Sequence, residues 1–152
     1  MAGISGGSGY LRSIRPFRAG DHRVSFSGAK LILFLGADLL VLRRDHTPGI
    51  PWPGFLDFPG GGREGAETPE ACALRETCEE VGLVVPDAAL VWRHQHGDNW
   101  FFAAHLPGAT VREVRFGGEG EGWLLMRPEE FAARDDAIPH FRDNLRLYLA
   151  QG

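Results

Sequence analysis

Residues 61–83 read GGREGAETPEACALRETCEEVGL, and the order of residue types in this stretch places a helix directly after a glycine run. Thr68 is an N-cap residue, and Pro69 follows at the first helical position, where a missing N–H costs nothing. Ala71, Leu74, Cys78 and Val81 recur as the expected buried stripe, and Gly82 suits the C-terminal stop. Glu76, Glu79 and Glu80 fall at i, i+3 and i+4, so they project from one face of that helix. Like charges so spaced repel, by roughly a few tenths of a kcal/mol per pair. No Lys or Arg is interleaved between them, so a cation from outside the chain is expected to complete the cluster. A hard divalent ion with oxygen ligands suits it, Mg2+ first and Mn2+ second.

Working outward, KLILF (30–34) and LLVL (39–42) read as two strands joined by a turn at Gly36 and Ala37. HTPGIPWPG (46–54) holds three prolines and two glycines and is a loop with a restricted backbone. Residues 55–58 form a short strand that delivers the chain into Pro59 and the glycines 60–62. Beyond the acidic helix, residues 83–85, 90–94, 100–106 and 123–126 read as strands. Pro139 opens a last helix with Phe141, Leu145, Tyr148 and Leu149 along one face. Strands and helices alternate irregularly. The expected fold class is α/β, with an α+β mixed sheet covered by helices on both faces.

The chain of 152 residues suits one domain spanning 1–152, with the Gly/Ser-rich residues 1–9 as a flexible N-terminal segment. Hydrophobic residues at 43% and charged residues at 24% exclude disorder of the whole chain. A net charge of −4 argues against a broad basic surface, so no nucleic acid partner is expected and a small molecule is the better fit. A single lysine, Lys30, stands among fifteen arginines, a bias that genome composition accounts for. The N-terminus lacks an apolar signal region and nothing downstream resembles a membrane span, so no membrane partner and a cytoplasmic location are expected. Cys72 and Cys78 lie about 9 Å apart along one helix, too far to pair, and Cys78 belongs to the expected apolar stripe.

The acidic segment resembles the Nudix box: Gly, five residues, Glu, seven residues, Arg-Glu, an aliphatic, any residue, Glu-Glu, any residue, Gly, aliphatic. Gly61, Glu67, Arg75, Glu76, Glu79, Glu80, Gly82 and Leu83 occupy its fixed places. Thr77 departs mildly at the aliphatic position, and Ala66 stands where the family often has Gly. The preceding DFPGG extends the likeness. The resemblance implies a Nudix-like α/β/α sandwich and a divalent-metal-dependent hydrolase that cleaves the pyrophosphate linkage of a nucleoside diphosphate joined to another moiety. The alternative is a Nudix-like module that binds nucleotides in regulation without hydrolysing them.

The resemblance further implies metal ligands at Glu76, Glu79 and Glu80 together with the Gly61 carbonyl, and a further Glu from a later loop. Glu119 and Glu121 in GGEGEGW are the candidates, with Glu121 preferred. The catalytic residues are expected among Glu76, Glu79 and Glu80, although the attacking water could instead lose its proton to a downstream acid. Arg75 and Glu67 are assigned to support, Arg75 pairing with Glu67 or with a ligand carboxylate and orienting it. Glu64 and Glu70 read as solvated.

Trp52 and Phe55 are assigned to substrate binding. Trp52 could stack on a base or anchor its loop, and Phe55 leans towards the core. His94 and His96 share one strand face, but no Cys or third His accompanies them at zinc spacing. His140 or Arg142 could reach a phosphate, with capping and solvation as the simpler roles. Nothing downstream of the box matches a substrate-subtype mark: the region of Asp98 lacks the Pro of ADP-ribose hydrolases, Trp100 and its neighbours offer no Tyr of dinucleoside polyphosphate hydrolases, and Ile50 replaces the Arg of the coenzyme A subtype.

Overall fold

The structure, a computed structural model, describes residues 25–151; the expected flexible segment 1–9 lies outside them. Seven strands form one sheet: β1 (Gly28–Leu35), β2 (Asp38–Arg43), β3 (Leu56–Asp57), β4 (Gly60–Gly62), β5 (Leu90–His96), β6 (Asn99–Leu106) and β7 (Gly122–Met126). Three α-helices accompany them among the described residues: α1 (Pro69–Val81), α2 (Pro128–Ala133) and α3 (Pro139–Leu149). β1 pairs in parallel with β6, whereas every other pairing between these strands is antiparallel. The expected mixed sheet is therefore present.

β1 and β2 leave a tight turn at Gly36, φ +64°, and pair only at residues 34–35 and 38–39 before they diverge. The gap between them is filled by a wedge. β3 continues along the open edge of β2, with Leu42 opposite Asp57, and β4 continues along that of β1, with Lys30 opposite Gly60. Phe58 and Pro59 carry the chain across the gap. This wedge brings the glycine run beside the start of β1 and so positions the functional site.

β1 is apolar along most of its length because both faces of the sheet are covered. Leu31, Leu33 and Leu35 face one core with Cys72, Ala73 and Val81 of α1, whereas Ile32 and Phe34 face a second core with Phe131 of α2 and Phe141 and Leu145 of α3. Each buried Leu, Ile, Val or Phe among these contributes about 1.5–3 kcal/mol. Phe58 stacks on Phe131 and Phe141 at centroid separations of 4.7 and 5.4 Å, locking the wedge onto the second core.

α1 starts and stops where its caps dictate: Thr68 Oγ1 accepts from the Ala71 N–H at 3.1 Å, and Gly82 at φ +73° donates to the Cys78 carbonyl. Its buried face differs from the expected stripe. Ala71 and Cys78 are exposed, and Pro69, Glu70, Cys72, Ala73, Thr77 and Val81 are buried. Small residues let the helix lie close on the sheet, and the polar ones are satisfied. Thr77 Oγ1 donates to the Ala73 carbonyl at 2.8 Å, and Glu70, expected in solvent, is buried in an ion pair with Arg93 at 2.7 Å. Both cysteines are free, and burial pushes the Cys72 thiol up to about 11, which makes it inert.

Residues 83–85, expected as a strand, run as coil with Leu83 and Val85 buried, because no neighbouring strand pairs with them. α2, the β4 ribbon and the 3-10 turns Asp87–Ala89 and Gly108–Glu113 are additional to the expected elements. Of the α3 face, Phe141 and Leu145 are buried, Tyr148 is half-buried and Leu149 is exposed. No helix among the described residues is long and apolar enough to cross a membrane.

Candidate active site

The shift in the buried face of α1 decides where its acids lie. Glu76 and Glu80 flank the face packed on the sheet, whereas Glu79 points outward; the Glu76 side chain is 15% exposed and that of Glu79 is 57% exposed. The glycine ribbon β4 receives the inner pair. A Cβ on Gly61 would lie 2.6 Å from the Glu76 carboxyl carbon, so the missing side chain of Gly61 is the space that carboxylate fills. The Gly60 N–H donates to Glu80 Oε1 at 2.9 Å. Gly60, one residue before the position that the resemblance picks out, is thus the glycine bonded to Glu80, while the Gly61 carbonyl accepts from Cys72 Sγ at 3.5 Å.

Arg75 gathers the outer acids. Its guanidinium bonds Glu67 at 2.6 Å, Glu76 and Glu79 at 3.1 Å each, and the Gly62 carbonyl at 2.9 Å. That bond to Arg75 holds the Glu67 carboxyl below its usual range. Glu67 Oε1 also accepts the Glu64 N–H, which closes the turn before the helix. Glu80 is outside this network. Burial pushes its carboxyl up to about 7, against the pull of the Gly60 N–H and Lys30, and Glu76 is also raised, chiefly by burial.

Glu119 and Glu121 part company. Glu119 lines a cavity of about 210 Å³ with Glu79, Glu80 and Gly117, and a second of about 230 Å³ with Glu80, Asp57, Arg44 and Asp45. The Glu121 carboxylate is paired with His46 Nδ1, and its N–H donates to the Arg43 carbonyl at 2.8 Å. No group of three His, Cys, Asp or Glu side chains among the described residues is drawn together closely enough to hold an ion as it stands. The donor set nonetheless fits a hard divalent cation: every donor is an oxygen, and burial and like-charge neighbours disfavour ionisation of Glu76 and Glu80 in a way that a cation would reverse.

Gly61 and Gly62 of the ribbon also line an open cleft of about 290 Å³. Trp52, Phe101, His140 and Phe141 form its aromatic walls, Asn99 and Asp57 add polar groups, Lys30 and Arg44 add cations, and Gly61 and Gly62 close one side. Trp52 is the one non-glycine residue with positive φ, +51°, among the described residues, and it lies between two prolines. Such a backbone is costly for an aromatic residue and persists where neighbours enforce it. Trp52 is 39% exposed and leans on Phe55, at 5.1 Å, and on His140, at 6.5 Å. Phe55 does not line the cleft; it braces Trp52 from the second core.

His94 and His96 do not act as a pair. His94 stacks on Trp92, whereas His96 stacks on His140 at 5.3 Å, and burial, followed by His96, lowers the readiness of His140 to take a proton. Arg142 donates to the Arg134 carbonyl at 2.8 Å, away from the cleft lining. Asp57, Arg44, Asn99 and Phe101 are cleft residues that sequence spacing did not single out, and Lys30 and Phe141 were noted without a role in the site. A buried acid in LDF between two apolar residues was the one local signal for them.

The model of the NUDIX domain matches residues 25–147. The chain is 31% identical over 91 residues to an RNA pyrophosphohydrolase of Gluconobacter oxydans, covering 58% of this chain and 48% of that protein. It is 50% identical over 38 residues to an 8-oxo-dGTP diphosphatase of Proteus vulgaris, covering 25% of this chain and 34% of that one. The chain thus spans half or less of the length of these curated relatives. Among solved structures, a MutT protein from Methanosarcina mazei superposes with a TM-score of 0.61 at 18% identity, over 84% of this chain and 95% of that one. An Ap4A hydrolase of C. elegans also gives 0.61, at 19% identity over 81% and 94%. These two likenesses show the fold, whereas the domain match extends over most of the chain and takes in both the acidic helix and the aromatic cleft. The chain belongs to the NUDIX domain family.

Proposed function

We propose that this protein is a divalent-metal-dependent hydrolase that cleaves the pyrophosphate linkage of a nucleoside diphosphate joined to another moiety, with a monophosphorylated product. One observation carries this reading: the glycine ribbon that receives the half-buried Glu76 and Glu80 carboxylates also lines an aromatic cleft, through Gly61 and Gly62. A nucleotide with its base in the cleft would pass its phosphates over backbone unobstructed by side chains, into the reach of the acids.

In this reading Glu76, Glu79, Glu80 and Glu119 hold the ion, with backbone oxygen from the glycine ribbon as a further donor. Glu121, engaged by His46, fixes the loop that carries Glu119. Mg2+ is the first candidate and Mn2+ the second, since both suit oxygen ligands. When bound, the ion neutralises diphosphate charge and acidifies water. The chain's own residues do the rest. Trp52 and His140 flank the planar group, Phe101 and Phe141 exclude water beneath it, and a carboxylate of the acid set takes the proton of the attacking water. Arg75 keeps Glu76 and Glu79 oriented. Two free cysteines fit a reducing cytoplasm.

One observation favours the alternative of a nucleotide-binding module without turnover: Arg75 already neutralises Glu76 and Glu79 in part. It does not reach Glu80, whose half-buried carboxyl accepts the Gly60 N–H and forms no ion pair among the described residues, and that asymmetry favours the enzyme. The test is a screen of nucleoside triphosphates, 8-oxo-dGTP, 5′-triphosphorylated RNA, sugar nucleotides, ADP-ribose and Ap4A, with Mg2+ and Mn2+ compared and products identified. Release of a monophosphorylated product from one class supports the enzyme. Saturable binding without product across the panel supports the module.

A further inference from the structure

Lys30 is the only lysine of the chain, in a sequence that uses arginine at fifteen other basic positions. Its surroundings explain the exception. The ammonium lies 3.0 Å from the Gly60 carbonyl, 3.3 Å from the Phe58 carbonyl and 3.1 Å from Asp57 Oδ1, and the Phe141 ring closes a further side at 5.6 Å. Three oxygens around one nitrogen match the three donors of an ammonium; the flat, forked guanidinium of arginine does not fit that arrangement. With two carbonyls accepting from it, the Asp57 carboxylate beside it and the side chain only 17% exposed, the Lys30 ammonium is turned towards the ribbon, although the residue lines the cleft.

What Lys30 holds is the carbonyl side of Gly60, the residue whose N–H meets the acid helix. The Pro59 carbonyl accepts the Leu31 N–H at 2.8 Å, the next N–H, that of Gly60, goes to Glu80, and the Gly60 carbonyl goes to Lys30. Gly60 has φ +138°, and a Cβ there would strike the Ala29 carbonyl at 2.2 Å and the Lys30 stem at 2.9 Å. The glycine therefore exists to let β1 and the lysine press against the ribbon.

We propose that Lys30 is a positioning residue of the hydrolytic site, setting through the two peptides that flank the Gly60 Cα where the Glu80 carboxylate lies. The inference rests on the metal-hydrolase reading above. Positioning partners one step behind a ligand typically matter by about 10–100-fold in metal affinity or activity, a range that a purely structural ion pair with Asp57 would not produce once its charge is balanced.

The test compares wild type with Lys30→Met, Lys30→Arg and the double variant Lys30→Met with Asp57→Asn, which removes the carboxylate charge that faced the ammonium; in Lys30→Met alone Asp57 keeps its pair with Arg44 at 3.0 Å. The readouts are direct Mn2+ binding by calorimetry without substrate, kcat and KM on the best nucleotide of the screen, and Tm. Lys30→Met and the double variant are expected to lose about tenfold or more in both Mn2+ affinity and kcat with KM little changed. Lys30→Arg should not rescue, and the double variant should recover Tm without recovering kcat. Wild-type Mn2+ affinity and kcat in the double variant would overturn the positioning role alone. Absence of Mn2+ binding and turnover in the wild type would overturn the metal-hydrolase reading and the role of Lys30 with it.

Discussion

The acid helix and the aromatic cleft meet across Gly60–Gly62, yet the chain builds them in opposite ways. The helix acids come from five consecutive residues whose spacing is set by one local geometry, and their caps are equally local. The cleft draws on the start of β1, the prolines around Trp52, the wedge, the start of β6 and the start of α3, residues more than a hundred positions apart. Chemistry that every member of a family shares can be written in a short segment, whereas recognition is distributed over elements that tertiary packing brings together. The two should also fail differently when damaged.

The largest effect is expected on the helix. Glu79→Gln and Glu80→Gln should each lower kcat by about a hundredfold or more at saturating Mg2+. Wild-type turnover in either would remove that residue from the acid set and break the contrast between the two regions.

Substitutions in the shared ribbon sharpen it. In Gly61→Ala the new methyl meets only the flexible end of Glu76, so the fold should survive with stability changed by less than about 1 kcal/mol. Displacement of that carboxylate should still lower kcat by up to about a hundredfold. Gly60→Ala strikes backbone instead and should unfold the wedge, visible as a large drop in Tm. Equal stability of the two variants would contradict this view of the ribbon.

Damage to the cleft should spare the chemistry. Trp52→Ala removes one stacking face, at a cost of about 1–3 kcal/mol, which should appear as a KM raised about tenfold with kcat little changed. A kcat loss of the size seen at Glu80 would mean that Trp52 serves the acids and not recognition.

The smallest effect concerns pH. The Glu80 carboxyl is raised from 4.5 to about 7 in the folded protein, so the folded state holds that proton more tightly than the unfolded one. Its contribution to stability is present below pH 4.5 and is lost as pH rises through about 7. Without metal, Tm should therefore decline over that window, and the Tm gain on adding Mg2+ should be larger at pH 8 than at pH 6. A gain independent of pH would show that the ion does not compete with this proton.

The sheet, the acid helix and the last helix were legible because apolar runs, N-cap and C-cap residues and prolines act locally. The phase of α1 was not, because its buried face uses Cys72, Ala73 and Thr77 in place of larger apolar residues, and because Glu70 is buried only by virtue of Arg93, 23 residues away. β4 is all glycine and has no side-chain pattern to read. The two loop acids were indistinguishable in GGEGEGW, since His46, 75 residues earlier, engages Glu121 and leaves Glu119 facing Glu79 and Glu80. Lys30 looked like a composition remnant until the oxygens of Asp57, Phe58 and Gly60 converged on it.

The most direct test follows monophosphate release from a nucleoside diphosphate derivative by the wild-type protein in Mg2+, with chelator added midway and the ion then restored. The account predicts that a monophosphorylated product accumulates, stops on chelation and resumes with the ion. Tight binding of the same nucleotides with no product in Mg2+ or Mn2+ would contradict it.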